Sequence, residues 1–320
     1  PALANRRQMA ASTRRVEPSQ KKWKAWELEA MTGHHRLTGH RRLTTDKWIQ
    51  ALDPGPAFML QIGANDHSTA SKGHATSNDP GPMAVRAGWE ALLLEPVKAT
   101  FERLKQAYAF NVSHRLRIEN AGVCDRCTPP SQTIWTVDVT NRTGNWGSKT
   151  ADSRCGPSWL TEIASLSEGH LSRHQDLLRF RPKLCSACSE RLGRKLSDRC
   201  LSDVISKNKV RQHMRCFCLK HFLPERDGRA VSLLMIDAEG HDDHILEQWP
   251  WGLVPAPHRV VYEQVHIGET RHVKTIHLLR SKGYENVHGW ASTAYFSVWH
   301  LVNSTEALRP VPSAPAEAGI

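Results

Sequence analysis

The sequence predicts an α/β protein built on a largely parallel sheet. Three observations carry that expectation. Strand-length apolar runs recur at Phe58–Ile62, 91–94 and 231–236; segments with apolar residues at helical spacing lie between such runs; and each run stops at a glycine or a carboxylate. Continuous apolar runs of this length are what a parallel strand needs when helices cover both faces of its sheet. The chain has 320 residues, 39% of them apolar, which is enough for a sizeable core. No stretch approaches the roughly 18 apolar residues of a membrane span, and no heptad or solenoid repeat is present. Eleven Trp and seven Phe among patterned segments exclude a fully disordered chain.

In chain order, residues 1–44 form a basic arm, expected to be partly disordered, and residues 45–52 read as a short capped helix ending at Asp53-Pro54-Gly55-Pro56. The first buried strand, Phe58–Ile62, stops at Gly63. A loop over 68–82 rich in Gly, Ser, Thr and Pro leads to a helix ending near Trp89. The second strand, 91–94, runs into Glu95-Pro96, and Val97, Phe101, Leu104 and Tyr108 mark the helix behind it. Residues 116–123 and 133–139 read as a third and fourth strand. Residues 151–228 break the rhythm and read as a Cys-rich, helical, basic insertion. Strands then return at 231–236, 259–263 and 294–301, with helices through Leu246 and over 272–281. The segments 45–150 and 229–303 therefore form one domain, and residues 304–320 read as a disordered tail.

Charge is concentrated outside that domain. Residues 1–50 carry 11 basic and 4 acidic residues, residues 151–230 carry 16 and 9, and the rest of the chain is slightly acidic within a net charge of +11. Apart from Trp23 and Trp26, aromatics do not interleave with the bases as a nucleic-acid stacking platform requires, so nucleic acid is disfavoured as a partner. The first residue is Pro, so the amino terminus reads as trimmed or internal, and a targeting segment would not be visible. Eight cysteines and three Asn-x-Ser/Thr sequons, at Asn111, Asn141 and Asn303, leave the compartment open between the secretory lumen and the cytoplasm.

The chemistry-bearing residues gather at strand ends, where an open parallel sheet holds its ligand. Gly63-Ala-Asn65-Asp66 follows the first strand, Glu95 the second, and Asp237 and Glu239 the strand at 231–236. A Gly-led turn admits a ligand close to the backbone, and a carboxylate at the next strand end can hydrogen-bond a ribose diol. The dinucleotide fingerprint fails, because Asn65 stands where its second glycine would be. Nucleosides without a diphosphate remain, S-adenosylmethionine being the commonest. Asp237, Glu239 and His266 are the candidate general bases or orienters, with His241 and His244 as alternatives. A divalent metal on Asp237, Glu239 and Glu263 requires their side chains to converge. Cys185, Cys188, Cys216 and Cys218 could form a four-thiolate zinc site, or the same cysteines could be disulfide staples with Cys155 and Cys200; Cys124 and Cys127 read as a separate pair or as core residues.

The chain resembles the FkbM-type methyltransferases, a family of S-adenosylmethionine-dependent enzymes with a Rossmann-like fold. The resemblance rests on Leu60-Gln-Ile-Gly-Ala-Asn-Asp66, Gly88-Trp89 before Leu92-Leu-Leu-Glu95-Pro96, the helix with Phe101 and Leu104, and Asn141-x-x-Gly144. It continues through Ile236-Asp-Ala-Glu-Gly240-x-Asp242, Tyr262-Glu263 and Lys282-Gly-Tyr284, covering about 57–150 and 229–300. It implies that Gln61, Gly63 and Asn65 lie near the methionine part of the cofactor, that Glu95 holds the ribose, and that Val123 to Asp125 lie near adenine. Gln61 stands where the family has an acid, and His67 where it has a glycine; Gln61 keeps an acceptor but no charge. The implied activity is O-methylation of a sugar, glycan or small-metabolite hydroxyl. The alternatives are a non-catalytic binding or scaffold protein on the same fold, and an RNA or protein methyltransferase docking through its basic insertion.

Overall fold

The computed structural model describes residues 57–67, 81–109, 115–138, 163–179, 185–186, 189–190, 199–223, 229–286 and 296–302. The arm at 1–44, the helix expected at 45–52, most of the 68–82 loop, Asn141-x-x-Gly144, the three sequons, Cys155, Cys188 and the tail at 304–320 lie outside them. Among the described residues no helix is long and apolar enough to cross a membrane.

The chain is α/β, as expected, with a mixed seven-stranded sheet that is mostly parallel. Its elements begin β1 (Phe58–Ile62), α1 (Gly81–Arg86), β2 (Glu90–Leu94), α2 (Lys98–Ala107) and β3 (Leu116–Glu119). They resume after the Cys-rich segment with β8 (Leu233–Ile236), α6 (Asp242–Glu247), β9 (Arg259–Glu263), α7 (Glu269–Ser281), β10 (Tyr284–Asn286) and β11 (Phe296–Leu301). The spatial order is β10-β11-β9-β8-β1-β2-β3; β1 pairs in parallel with both β2 and β8, and β11 runs antiparallel to β9 and β10. The chain thus builds outward from β1 on one side, then restarts beside β1 on the other. That reversal leaves a crevice at the carboxyl ends of β1 and β8.

The apolar runs are continuous because both faces are covered. Phe58, Leu60 and Ile62 face the layer containing Ile245 and Leu246 of α6 and Leu279 of α7, while Met59 faces Ala84 of α1 and Leu104 of α2. Each fully buried leucine contributes about 1.5–3 kcal/mol, so this double layer dominates the stability of the domain.

A second sheet lies beside the first. It comprises β4 (Gly122–Val123), β5 (Ser131–Val137), β6 (Ala164–Ser165) and β7 (Lys209–Phe217), in the order β4-β7-β5-β6. The strand expected at 116–123 is therefore two short strands in different sheets. The segment 151–228, expected to be helical, contains the nine-residue β7, which pairs with β5 from Ser131↔Arg215 to Val137↔Lys209. Its alternation is easy to miss because only Met214 and Phe217 are well buried, and Lys209 and Arg211 lie over the Trp135 ring. The helices α3 (Glu168–Arg179) and α4 (Cys200–Asn208) pack around Leu171, Val204 and Ile205, and α5 (Leu219–Phe222) joins the main core through Leu219.

Cysteines stitch this segment down. Cys124 is bonded to Cys216, Cys127 to Cys218 and Cys185 to Cys200. The four-thiolate set of Cys185, Cys188, Cys216 and Cys218 is corrected accordingly: Cys216 and Cys218 are tied to the turn after β4, and Cys185 to the start of α4, so their sulfurs are not available to one ion. The first two bridges close nearly the same loop, with sequence separations of 92 and 91. Once one has formed, the other closes a ring of only a few residues. In the chain-entropy description, removing either pair should cost about 2 kcal/mol and removing both about 7 kcal/mol. Urea unfolding of Cys124→Ala/Cys216→Ala, Cys127→Ala/Cys218→Ala and the quadruple variant checks this; simple additivity would contradict it.

Candidate functional site

The crevice is a cleft of about 790 Å³ including its open mouth. Its floor is formed by Gly63 and Asn65 after β1, Glu95 after β2, and Asp237, Ala238 and Glu239 after β8. The second sheet supplies the opposite wall through Val123, Ile134, Ser165 and Met214. The lining combines an apolar wall with a few convergent polar groups, as small-molecule sites do.

Gly63 is required by packing. Its φ is +76°, and a Cβ there would lie 1.8 Å from the Asp237 carbonyl oxygen. The backbones after β1 and β8 thus touch, and Asp237 N–H donates to Ile62 O at 2.9 Å. Asn65 follows in the left-handed region at φ 56°, which Asn tolerates better than most residues. Its N–H donates to Glu95 Oε2 at 2.9 Å, while Val97 N–H donates to Glu95 Oε1 at 2.8 Å. The buried Glu95 carboxylate therefore ties the β1 and β2 loops together by charge-assisted bonds. Asp66 is held by Arg103 at 2.7 Å, and His67 Nδ1 contacts the Tyr108 hydroxyl at 2.6 Å.

The turn after β8 is held from several sides. Ser165 Oγ donates to Glu239 O at 3.2 Å, and Arg271 donates to Gly240 O at 3.1 Å while forming a two-pronged pair with Asp243. Fully buried Asp242 accepts from Ala238 N–H at 3.3 Å and from Glu263 N–H at 3.1 Å, bridging the ends of β8 and β9. Glu239 itself sits at φ 50°, an uncommon conformation for a non-glycine residue.

That conformation sends the Glu239 side chain among three imidazoles. Glu239 Oε2 is 2.8 Å from His170 Nε2, 3.4 Å from His266 Nε2 and 3.6 Å from His174 Nε2. His170 and His174 are buried on one face of α3, one turn apart. Burial lowers the His170 pKa despite the neighbouring Glu239, and burial pushes His266 down to about 3. Burial alone would raise the Glu239 pKa, but His266 and the hydrogen bonds from His170 and His174 outweigh it, holding the group well below the usual range. At neutral pH the cluster therefore holds a carboxylate facing neutral His170 and His266. Glu263 behaves in the opposite way: burial, then the charges of Asp237, Glu239 and Asp242, raise it well above the usual carboxylate range, and it hydrogen-bonds Asp237.

The expected site residues divide accordingly. Gly63, Asn65, Glu95, Val123, Asp237, Glu239, His241 and Glu263 line the cleft. Gln61 is buried within β1 and is not among the lining residues. Asp125 stands outside the lining, its carboxylate 2.9 Å from His241 Nε2 and 3.2 Å from Gln132 Nε2. His244 is half exposed beside Glu247. Asp237, Glu239 and Glu263 do not converge as three metal ligands; Asp237 and Glu263 bond to each other while Glu239 turns to the histidines. His170 and His174 were not anticipated, although an i, i+4 histidine pair on a helix was a readable signal. Compared with protein-family models and with curated protein sequences, the chain matches none.

Burial raises the Asp242 pKa from the ordinary 3.8 to about 7. Between those values the folded protein keeps a proton that the unfolded chain has released, so stability falls as pH rises through the window. His170 and His266, held neutral by burial, act in the opposite sense over part of this window, so the Asp242 contribution is read as a difference: between about pH 4 and pH 7 the unfolding midpoint of Asp242→Asn should rise relative to that of the native protein. Parallel pH profiles of the two proteins would contradict this.

Proposed function

We propose that this chain is an S-adenosylmethionine-dependent methyltransferase acting on a hydroxyl of a sugar, glycan or small metabolite, as its resemblance to the FkbM-type family implies. The observation that carries the proposal is the position of Glu95. It lies one residue beyond β2, lines the cleft beside the Gly63-Ala-Asn65 turn, and is anchored by two backbone amides. A fixed carboxylate there matches the group that recognises a ribose diol in doubly wound sheets. The partial order β3-β2-β1-β8-β9 supports a Rossmann-like reading, since it follows the 3-2-1-4-5 pattern with the cleft at the reversal.

The cofactor would lie along the floor, its ribose at Glu95 and its adenine against Val123. When bound, it supplies a methyl group on a sulfonium, an electrophile that needs an aligned oxygen nucleophile. Asp237 is the residue assigned to that oxygen. It lines the cleft beside Glu263, whose carboxyl pKa is raised well above the usual range by burial and acidic neighbours, and it can orient the hydroxyl and accept its proton. Glu239, which lines the cleft with His266 3.4 Å behind its carboxylate, serves as a wall that positions the acceptor. The disulfides favour an oxidising compartment, and we assign the protein to the secretory lumen on that basis.

Calorimetry with S-adenosylmethionine should show one binding site. Glu95→Gln should weaken cofactor binding by about 1.5–3 kcal/mol, roughly 10- to 100-fold. Absence of binding to the folded native protein would favour the non-catalytic scaffold reading. Asp237→Asn should lower turnover by roughly 10²-fold with a near-normal cofactor Kd. Equal loss of binding and turnover would mean that Asp237 holds the fold or the cofactor instead.

A further inference from the structure

We infer that His170, His174, Glu239 and His266 form a binding site for one divalent zinc-class ion, which fastens helix α3 to the ends of β8 and β9. The four ligand atoms, three imidazole nitrogens and one carboxylate oxygen, all lie within 4.8 Å of one another. Tetrahedral zinc with bonds of about 2.0–2.1 Å places its ligand atoms about 3.3 Å apart. The contacts around Glu239 Oε2, at 2.8, 3.4 and 3.6 Å, bracket that spacing, and His170 Nε2 lies 2.9 Å from His174 Nε2.

Proton accounting points to a cation. If His170 Nε2–H donates to Glu239, that nitrogen has no lone pair left for His174, 2.9 Å away. If His174 donates to His170 instead, the 2.8 Å contact between His170 and Glu239 sets two acceptors against each other. A single ion accepts a lone pair from each of the four atoms and removes the conflict, with every ligating imidazole carrying its proton on Nδ1. The donor set selects the ion. Three imidazoles suit zinc and its first-row neighbours, whereas magnesium and calcium require mostly oxygen.

The surroundings are built to hold these ligands. Gly240, at φ +87°, brings the turn so close to the next loop that a Cβ would lie 3.0 Å from the His266 carbonyl oxygen. Ser165 and Arg271 hold the Glu239 and Gly240 carbonyls, which fixes the turn that presents the Glu239 side chain. A second grouping among the described residues, Cys127, Cys218 and His221, lacks this character, because its two sulfurs are bonded to each other.

The inference stands on this geometry and does not require that the protein be a methyltransferase. Its test uses the full, disulfide-intact chain and Zn²⁺ as the probe. After equilibrium dialysis against micromolar Zn²⁺, elemental analysis should find one ion per chain. The His170→Ala/His174→Ala variant should lose affinity by at least the roughly 10- to 100-fold that removing an outer partner costs. No retained ion in the native protein, or equal retention in the variant, would overturn the site. Should the variant fail to fold, the cobalt derivative of the native chain decides. Visible d–d bands without a thiolate charge-transfer band support ligation by histidine and carboxylate, and a thiolate band overturns it.

Discussion

The contact between the Gly63 backbone and the Asp237 carbonyl is the constraint on which the rest of the site depends. It exists because β1 and β8 are adjacent parallel strands whose chains leave the sheet at the same level, and because residue 63 has no Cβ to separate them. With the two backbones in contact, Asp237 is delivered to the cleft and the next three residues must turn sharply away. Asp242 caps that turn, Arg271 holds its far end, and Glu239 lies between them in the left-handed conformation. A side chain at position 63 would move both the cleft floor and the histidine cluster, since the two are consecutive parts of one turn.

Glu239 links two parts of the protein that look separate along the chain. Its backbone belongs to the floor of the cleft, while its carboxylate meets two histidines of α3 and one from the loop after β9. The Cys-rich segment is therefore a structural wall of the cleft through β6 and β7, with α3 held to it through Glu239. Assigning Glu239 to the histidines also separates the carboxylates by role. Asp237 and Glu263 both line the cleft, where burial and acidic neighbours raise the Glu263 carboxyl well above the usual range.

Much of the main sheet was legible in the sequence because its strands are buried on both faces, so that burial and apolarity coincide over Phe58–Ile62, Leu233–Ile236 and Arg259–Glu263. The second sheet was not, because β7 is largely exposed and its strand character comes from pairing with β5, a contact between residues about 75 positions apart. Cysteine spacing could not choose between zinc and disulfides: Cys216-x-Cys218 faces Cys124-x-x-Cys127, a match that only the approach of β4 and β7 creates. The strand-end residues Gly63, Glu95 and Asp237 were identifiable because position at a strand end largely determines position in the crevice. Gln61 was harder to place, since the pleat decides its face and carries it into the layer beneath the sheet. The pair His170 and His174 was visible as a spacing, but its significance depends on Glu239 and His266, which come from distant strands.

The central claim is that the turns after β1, β2 and β8 together form one nucleoside-binding surface. Hydrogen–deuterium exchange with and without S-adenosylhomocysteine, the expected product, addresses it at the level of individual amides. The account predicts slower exchange at the amides of residues 63–66, 95–97 and 238–241 and no change on the opposite edge at β10. Protection confined to another surface, or none at saturating ligand, would contradict it.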